Sequence, residues 1–240
     1  MTNYIVFLQQ LERWRVDAGE RVALVTFNYD TMLDKALEAV SAFRFRGIDD
    51  LIGHPQYELY KLHGSVDWGR RYDLPSGTVV PGNTSDRDEM LIQRALELTP
   101  SGEFRFREQA QASGLFIGPA ISVPVATKTD SDFECPVGHI ERLKQSLPRV
   151  TRILVVGWRG QEAHFHRLWA EPIVGVDAQE IETIDAVDST EVHAQTAANI
   201  VQEGISAVRS SVRPWGGGFS RFVIDGFQRY LYELGIRTDH

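Results

Sequence analysis

The chain has 240 residues, 42% apolar and 24% charged, which is ordinary for a folded protein and enough for one large α/β domain. Its 25 basic and 33 acidic residues leave a formal net charge of −8, which argues against nucleic acid as a partner, since that binding needs a basic face to displace counterions. No apolar run approaches the roughly 20 residues that cross a bilayer, Met1 to Gln10 lacks the basic start and cleavage site of a signal peptide, and Cys135, the single cysteine, excludes a disulfide framework and a four-thiolate zinc site. The expectation is a cytoplasmic protein that contacts no membrane, with one core over residues 1–240.

Residues 4–16 place Tyr4, Phe7, Leu8, Leu11 and Trp14 at helical spacing, and Asp17, Ala18 and Gly19 supply a stop. Val22 to Val25 form a continuous apolar run, the pattern of a parallel strand covered on both faces. A helix follows from Thr31 through Leu33, Ala36, Leu37 and Val40. "YKLHGSVDWG" (60–69) predicts a short strand ending at Gly64. From residue 70 to 118 the periodicity breaks up, with a helix over 88–98 and alternating segments around 104–107 and 114–117. That stretch reads as an irregular insertion or lid rather than sheet core. Pro124 demotes 121–125 to an edge strand, and Pro136 opens a helix that runs to Leu147. "RILVVG" (152–157) is a second buried strand, followed by Gly160 and an amphipathic helix carrying Ala163, Phe165, Leu168 and Trp169. A third strand over 181–189, a helix stopped at Gly204, the "WGGGF" loop (215–219) and a last helix through Phe222, Phe227 and Tyr230 close the chain. Strand and helix alternate, so the expected fold class is α/β, a Rossmann-like, doubly wound and mostly parallel sheet with an irregular insertion.

Three strand ends carry polar chemistry where open α/β sheets bind ligands: Thr26-Phe27-Asn28-Tyr29-Asp30, His63-Gly64 and Gly157-Trp158-Arg159-Gly160. In one parallel sheet they would line a shared edge. Each has a plainer reading. Asn28 or Asp30 can cap the helix from Thr31, His63 can be a turn histidine, and Lys61, Arg70 and Arg71 can form a solvated rim instead of steering a phosphate. His164 and His166 stand two apart, so on a helix they face different ways and read as packing or surface residues. "WGGGF" is either an anion-binding nest or a flexible turn.

Taken together, "TFNYD", "KLHGSVDW", "VVGWRGQEAHF" and Asp188 follow the order and approximate spacing of the sirtuin superfamily. The chain from about Val22 to Asp188 resembles most its zinc-free bacterial sirtuin-like branch, which includes NAD⁺-cleaving proteins of antiviral defence. Two features of the family are missing. No glycine-rich GAGxS-type turn, the element that holds the NAD⁺ diphosphate at a helix N-terminus, stands ahead of Val22. The cysteines of the deacetylase zinc ribbon are absent as well, so no metal is expected.

The resemblance implies NAD⁺ or ADP-ribose as ligand, with NAD⁺ as substrate of a glycohydrolase. It makes Asn28 and His63 the catalytic pair, Asn28 beside the nicotinamide ribose and His63 facing the ribose hydroxyls, able to exchange a proton near neutral pH. Thr26 and Asp30 open and close the first cofactor-binding motif. Gly157 matches the glycine that lets backbone approach the nucleotide, Trp158 and Arg159 replace small hydroxyl residues of sirtuins proper, and Asp188 falls where a strand-end carboxylate can bond the adenosine ribose. The alternatives are a nucleotide-sensing or scaffold domain without turnover, and an incomplete chain whose phosphate loop comes from a protein partner or a homo-oligomer.

Overall fold

The structure, a computed structural model, describes residues 3–54, 56–73, 76–79, 81–93, 99–112, 117–121, 133–170 and 177–235. In chain order the elements are α1 (Asn3–Ala18), β1 (Val22–Thr26), α2 (Met32–Ser41), α3 (Asp50–Gly53), β2 (Tyr57–Lys61), β3 (Gly64–Asp73), α4 (Thr84–Gln93), β4 (Thr99–Phe106), α5 (Arg107–Ala112), β5 (Ile117–Ile121) and α6 (Val137–Ser146). A 3₁₀ turn (Leu147–Arg149) leads into β6 (Arg152–Val156), α7 (Ala163–Ala170), β7 (Thr183–Val187), α8 (Glu191–Gly204), β8 (Ser211–Trp215), α9 (Gly218–Arg221), a π-helical turn (Phe222–Gly226) and α10 (Phe227–Gly235). The protein is α/β, with two parallel sheets and one antiparallel sheet. The chain divides into two compact units, one of Met1–Val22, Lys35–Phe43 and Glu141–His240, the other of Ala23–Asp34 and Arg44–Ile140.

The first unit is built on β6-β7-β8, all parallel, in register from Arg152 opposite Thr183 opposite Ser211 to Val156 opposite Val187 opposite Trp215. Parallel neighbours need crossover connections, and α7 and α8 supply them. Helix α8 starts because Thr190 caps it, its hydroxyl accepting from the His193 N–H at 3.2 Å. Ala194, Ala197, Ala198 and Val201 recur at i, i+3, i+4 and i+7, and this stripe is buried. Three of them join Val155, Ile184 and Ala186 in the core. Asp185 is buried in the middle strand, where the Arg213 guanidinium (2.8 Å) and the Trp215 indole N–H (3.0 Å) compensate its charge. Rings of α1 and α10 close the unit, Phe7 stacking on Phe227 at 4.5 Å.

The second unit holds the parallel pair β1-β2 and the antiparallel sheet β4-β3-β5. Here the structure corrects three sequence expectations. The strand expected to end at Gly64 is two strands: β2 stops at Lys61, Leu62 and His63 turn the chain, and β3 starts at Gly64. The 70–118 stretch, read as irregular, contributes β4 and β5 to a sheet centred on β3. Its pairing with β3 is irregular, with register shifts between Arg70 and Tyr72 on the β4 side and between Gly64 and Gly69 on the β5 side. The helix expected over 88–98 begins at Thr84, because Asn83 accepts the Asp86 N–H at 2.8 Å. Residues 94–98, and 122–125 of the expected edge strand, lie outside the described residues.

Candidate functional site

The eight residues singled out in the sequence fall into two groups, one in each unit. In the second unit, Thr26 ends β1 and His63 follows β2. The two strands are parallel, so both residues stand at the carboxyl edge. The Leu62 N–H donates to the Thr26 carbonyl at 3.1 Å, extending the pairing past the end of the strands. Beyond it, residues 27–29 form no regular element, and bends follow at Asp30 and Thr31. The Asn28 N–H donates to the Thr26 hydroxyl at 3.1 Å, and the Asn28 side chain is exposed. Asp30 is a helix cap, its carboxylate accepting the Met32 N–H at 2.9 Å. The plainer reading thus holds for Asp30 and not for Asn28. His63 is half-buried, with the Phe27 ring edge-on at 5.0 Å and the Tyr29 ring near-parallel at 6.3 Å. Phe27 and Tyr29 therefore flank the imidazole while Asn28, between them in sequence, faces outward. The Tyr29 carbonyl accepts from the Val66 N–H (2.9 Å) and the Ser65 hydroxyl (3.2 Å).

Lys61, read from sequence as a rim residue, is completely buried. Its ammonium donates to both carboxylate oxygens of Asp34 (2.8 and 3.1 Å) and to the Asp30 carbonyl (2.6 Å). Burial pushes the Asp34 carboxyl above the ordinary carboxylate range, outweighing the pull of the lysine, and the nearby Asp67 charge acts in the same direction as burial. Asp67 Oδ1 is itself buried and meets no hydrogen-bond donor among the described residues. Arg70 is tied to Glu134 (3.1 Å) and the Ser101 carbonyl (2.6 Å), with its guanidinium over the Phe104 ring. Arg71 is the one that fits the rim reading, exposed and paired with Glu103 at 3.1 Å. The sequence reading placed Lys61 at a rim, took Tyr29 only as part of the "TFNYD" motif, and missed Asp34 and Ser65. The available signal was a lysine at the end of a strand rich in aromatic and aliphatic residues, "YELYK", preceded by an acid on a helix.

In the first unit, Gly157 follows β6, Asp188 follows β7 and the "WGGGF" loop follows β8, so all three lie at one carboxyl edge. Gly157 holds φ +61°, and a Cβ there would meet nothing within 4 Å. Arg159 is exposed. Trp158 turns toward the core cluster, packing edge-on against Phe165 (5.4 Å) and His166 (5.9 Å), and its indole N–H donates to the Glu162 carboxylate. Asp188 accepts from the Ser189 hydroxyl at 3.0 Å and is partly exposed. The "WGGGF" loop is neither an open nest nor a loose turn. Its Gly217 and Gly218 N–H groups donate to the Ser189 (3.1 Å) and Asp188 (2.8 Å) carbonyls, clipping it to the end of β7.

Two further groups sit in packed surroundings. His139 is fully buried, edge-on to Trp68 at 6.2 Å, and desolvation pushes it down to about 4 even with Asp49 at 3.9 Å. The buried Cys135 thiol is pushed up to about 12 by desolvation. No cluster of three metal-ligating side chains occurs among the described residues. Nor is any described helix long and apolar enough to cross a membrane. A cavity of about 530 Å³ opens at the opposite, amino-terminal edge of β6-β7-β8, lined by Pro148, Trp169, Ile181 and Ala207 among others. No family model, curated protein or solved structure matches the chain.

Proposed function

We propose that the chain is a sirtuin-like domain of the zinc-free bacterial branch, Rossmann-like and doubly wound, that binds NAD⁺ and cleaves the bond between nicotinamide and ribose. The observation that supports this reading is the placement of Thr26 and His63 at the carboxyl edge of β1-β2, tied by the Leu62 N–H to the Thr26 carbonyl, with Asn28 exposed in the loop that follows Thr26. Departure of nicotinamide with the N-glycosidic electron pair leaves an oxocarbenium-like carbon, as in glycoside hydrolysis. Asn28 is suited to hold the attacking water or a ribose hydroxyl. His63 takes the proton released as water adds, a contribution of typically about 10²–10⁴ in rate. Gly157, Trp158, Arg159 and Asp188 are assigned nucleotide contacts by the resemblance alone. The branch sets the reaction in bacterial antiviral defence.

A second reading, a nucleotide-sensing or scaffold domain without turnover, is favoured by the engagement of Asp30 with the Met32 N–H and of Trp158 with the core. A third reading has a protein partner or another copy of the chain supply the phosphate loop and with it turnover. Each charge-assisted hydrogen bond from such a loop is worth about 1.5–3 kcal/mol, so two of them change affinity by roughly two to four decades. Titration of the protein with ADP-ribose, followed by heat release, tests the site. At least tenfold weaker binding by Asn28→Ala and His63→Ala, with unfolding temperatures within a few degrees of the parent, is expected. Unchanged affinity would remove both residues from the site.

A further inference from the structure

We infer that the buried Lys61–Asp34 pair is a positioning device, which fixes the loop bearing Asn28 against the turn bearing His63; this rests on the reading of those two residues as the reacting pair. The basis is where the hydrogen bonds go. Lys61 is the last residue of β2, two before His63, and all three acceptors recorded for its ammonium belong to the 30–34 stretch. One of them is the Asp30 main-chain carbonyl, two residues past Asn28. The Tyr29 and Thr26 carbonyls are held in turn by residues 62, 65 and 66. The main-chain carbonyls of residues 26, 29 and 30 are therefore all gripped by residues 61–66, from both sides of Asn28.

Stability is a poor account of the charge in this arrangement. Burying an ammonium and a carboxylate costs several kcal/mol per ion in desolvation, and apolar replacements of similar volume are often as stable or more so. An apolar side chain at 61 would fill the same space but offer nothing to the Asp30 carbonyl. Directional donors are what the lysine adds: a protonated amine has three N–H bonds and no acceptor, and here it reaches a carbonyl on one side and a carboxylate on the other. The loop thereby has a defined seat on the β2 end in the absence of ligand, and such preorganisation is what a site needs when a one-ångström error in a reacting group costs orders of magnitude in rate.

The test uses the full chain and two variants, Lys61→Met/Asp34→Leu and Asp34→Asn. Amide hydrogen exchange is read at Met32, Leu62 and Val66, whose N–H groups bond within this clamp, and at Ile184 and Ala186 of the first unit as references. Nicotinamide release is measured in parallel. The expected result is a folded double variant with exchange at the three clamp amides at least tenfold faster and the references unchanged, a smaller acceleration in Asp34→Asn, and kcat for nicotinamide release lowered more than KM is raised. A merely structural pair would instead accelerate exchange at reference and clamp amides alike. That result, or clamp exchange equal to the parent's, overturns the inference, and so does failure of both variants to fold. Faster clamp exchange in a chain whose parent releases no nicotinamide would leave the clamp standing and count against NAD⁺ cleavage.

Discussion

Substituting Gly64, the residue after His63, by alanine tests how tightly the turn at the candidate site is built. Gly64 has φ +79°, in the left-handed region that costs an L-residue about 1–2 kcal/mol. A Cβ there would also lie 2.0 Å from the Ala120 carbonyl oxygen and 2.8 Å from its carbon, both backbone atoms that no rotamer change can move. Gly64 pairs with Ile121 across β3-β5, so relief requires separating the two strands where they begin to pair. Overpacking of this kind costs about 1–3 kcal/mol, and the two terms together give about 2–5 kcal/mol. Gly157→Ala is the control. It has the same left-handed backbone at φ +61° with nothing within 4 Å, and should cost only the first term, about 1–2 kcal/mol. Urea unfolding followed by circular dichroism and tryptophan fluorescence measures both, analysed as separate transitions if the two units unfold separately. A Gly64→Ala variant that loses no more than Gly157→Ala would refute the steric part of this reasoning.

The neutral burial of His139 should appear as acid sensitivity. The unfolded chain takes up a proton at about 6.5 and the folded one only at about 4, so this contribution is intact above pH 6.5 and about 3 kcal/mol of it is lost as pH falls to 4; His139→Leu should flatten that slope, and an unchanged slope would contradict the assignment. Cys135, buried and with its thiol pushed up to about 12, should resist iodoacetamide at pH 8 in the native state and react on unfolding. Rapid native-state labelling would show that it is accessible. With a single cysteine and no triad of ligating side chains among the described residues, elemental analysis should find no stoichiometric zinc, and one zinc per chain would overturn that expectation.

The parallel strands β1 and β6 were legible because each carries a continuous apolar run, Val22 to Val25 and Ile153 to Val156. The helices were legible from stripes such as Ala194, Ala197, Ala198 and Val201. Residues 57–73 were not. All of β2 is buried, including Glu58 and Lys61, so its polar positions mimic the exposed face of a strand. What neutralises them is non-local or specific: Asp34 is 27 residues from Lys61, and the Tyr60 hydroxyl donates to Glu58 at 3.0 Å. In β3, burial runs in adjacent pairs, Gly64 with Ser65 and Trp68 with Gly69, instead of the two-residue period that would have announced a strand. Within the candidate site, the residue types at 26, 28, 30 and 63 could be picked out at strand ends. Which of them face solvent and which cap a helix depends on main-chain geometry that side-chain patterning does not encode. The inward turn of Trp158 and the clipping of the "WGGGF" loop were hidden for the same reason.

Nicotinamide release, followed by chromatography, is the measurement closest to the central claim. The chain is assayed with NAD⁺ both as it stands and with an added N-terminal strand, GAGxS turn and helix. The account predicts slow but measurable release from residues 1–240, a rise of at least tenfold with the extension, and loss of that release in both Asn28→Ala and His63→Ala. Release that is unaffected by Asn28→Ala and His63→Ala, or no release from either form, would contradict it.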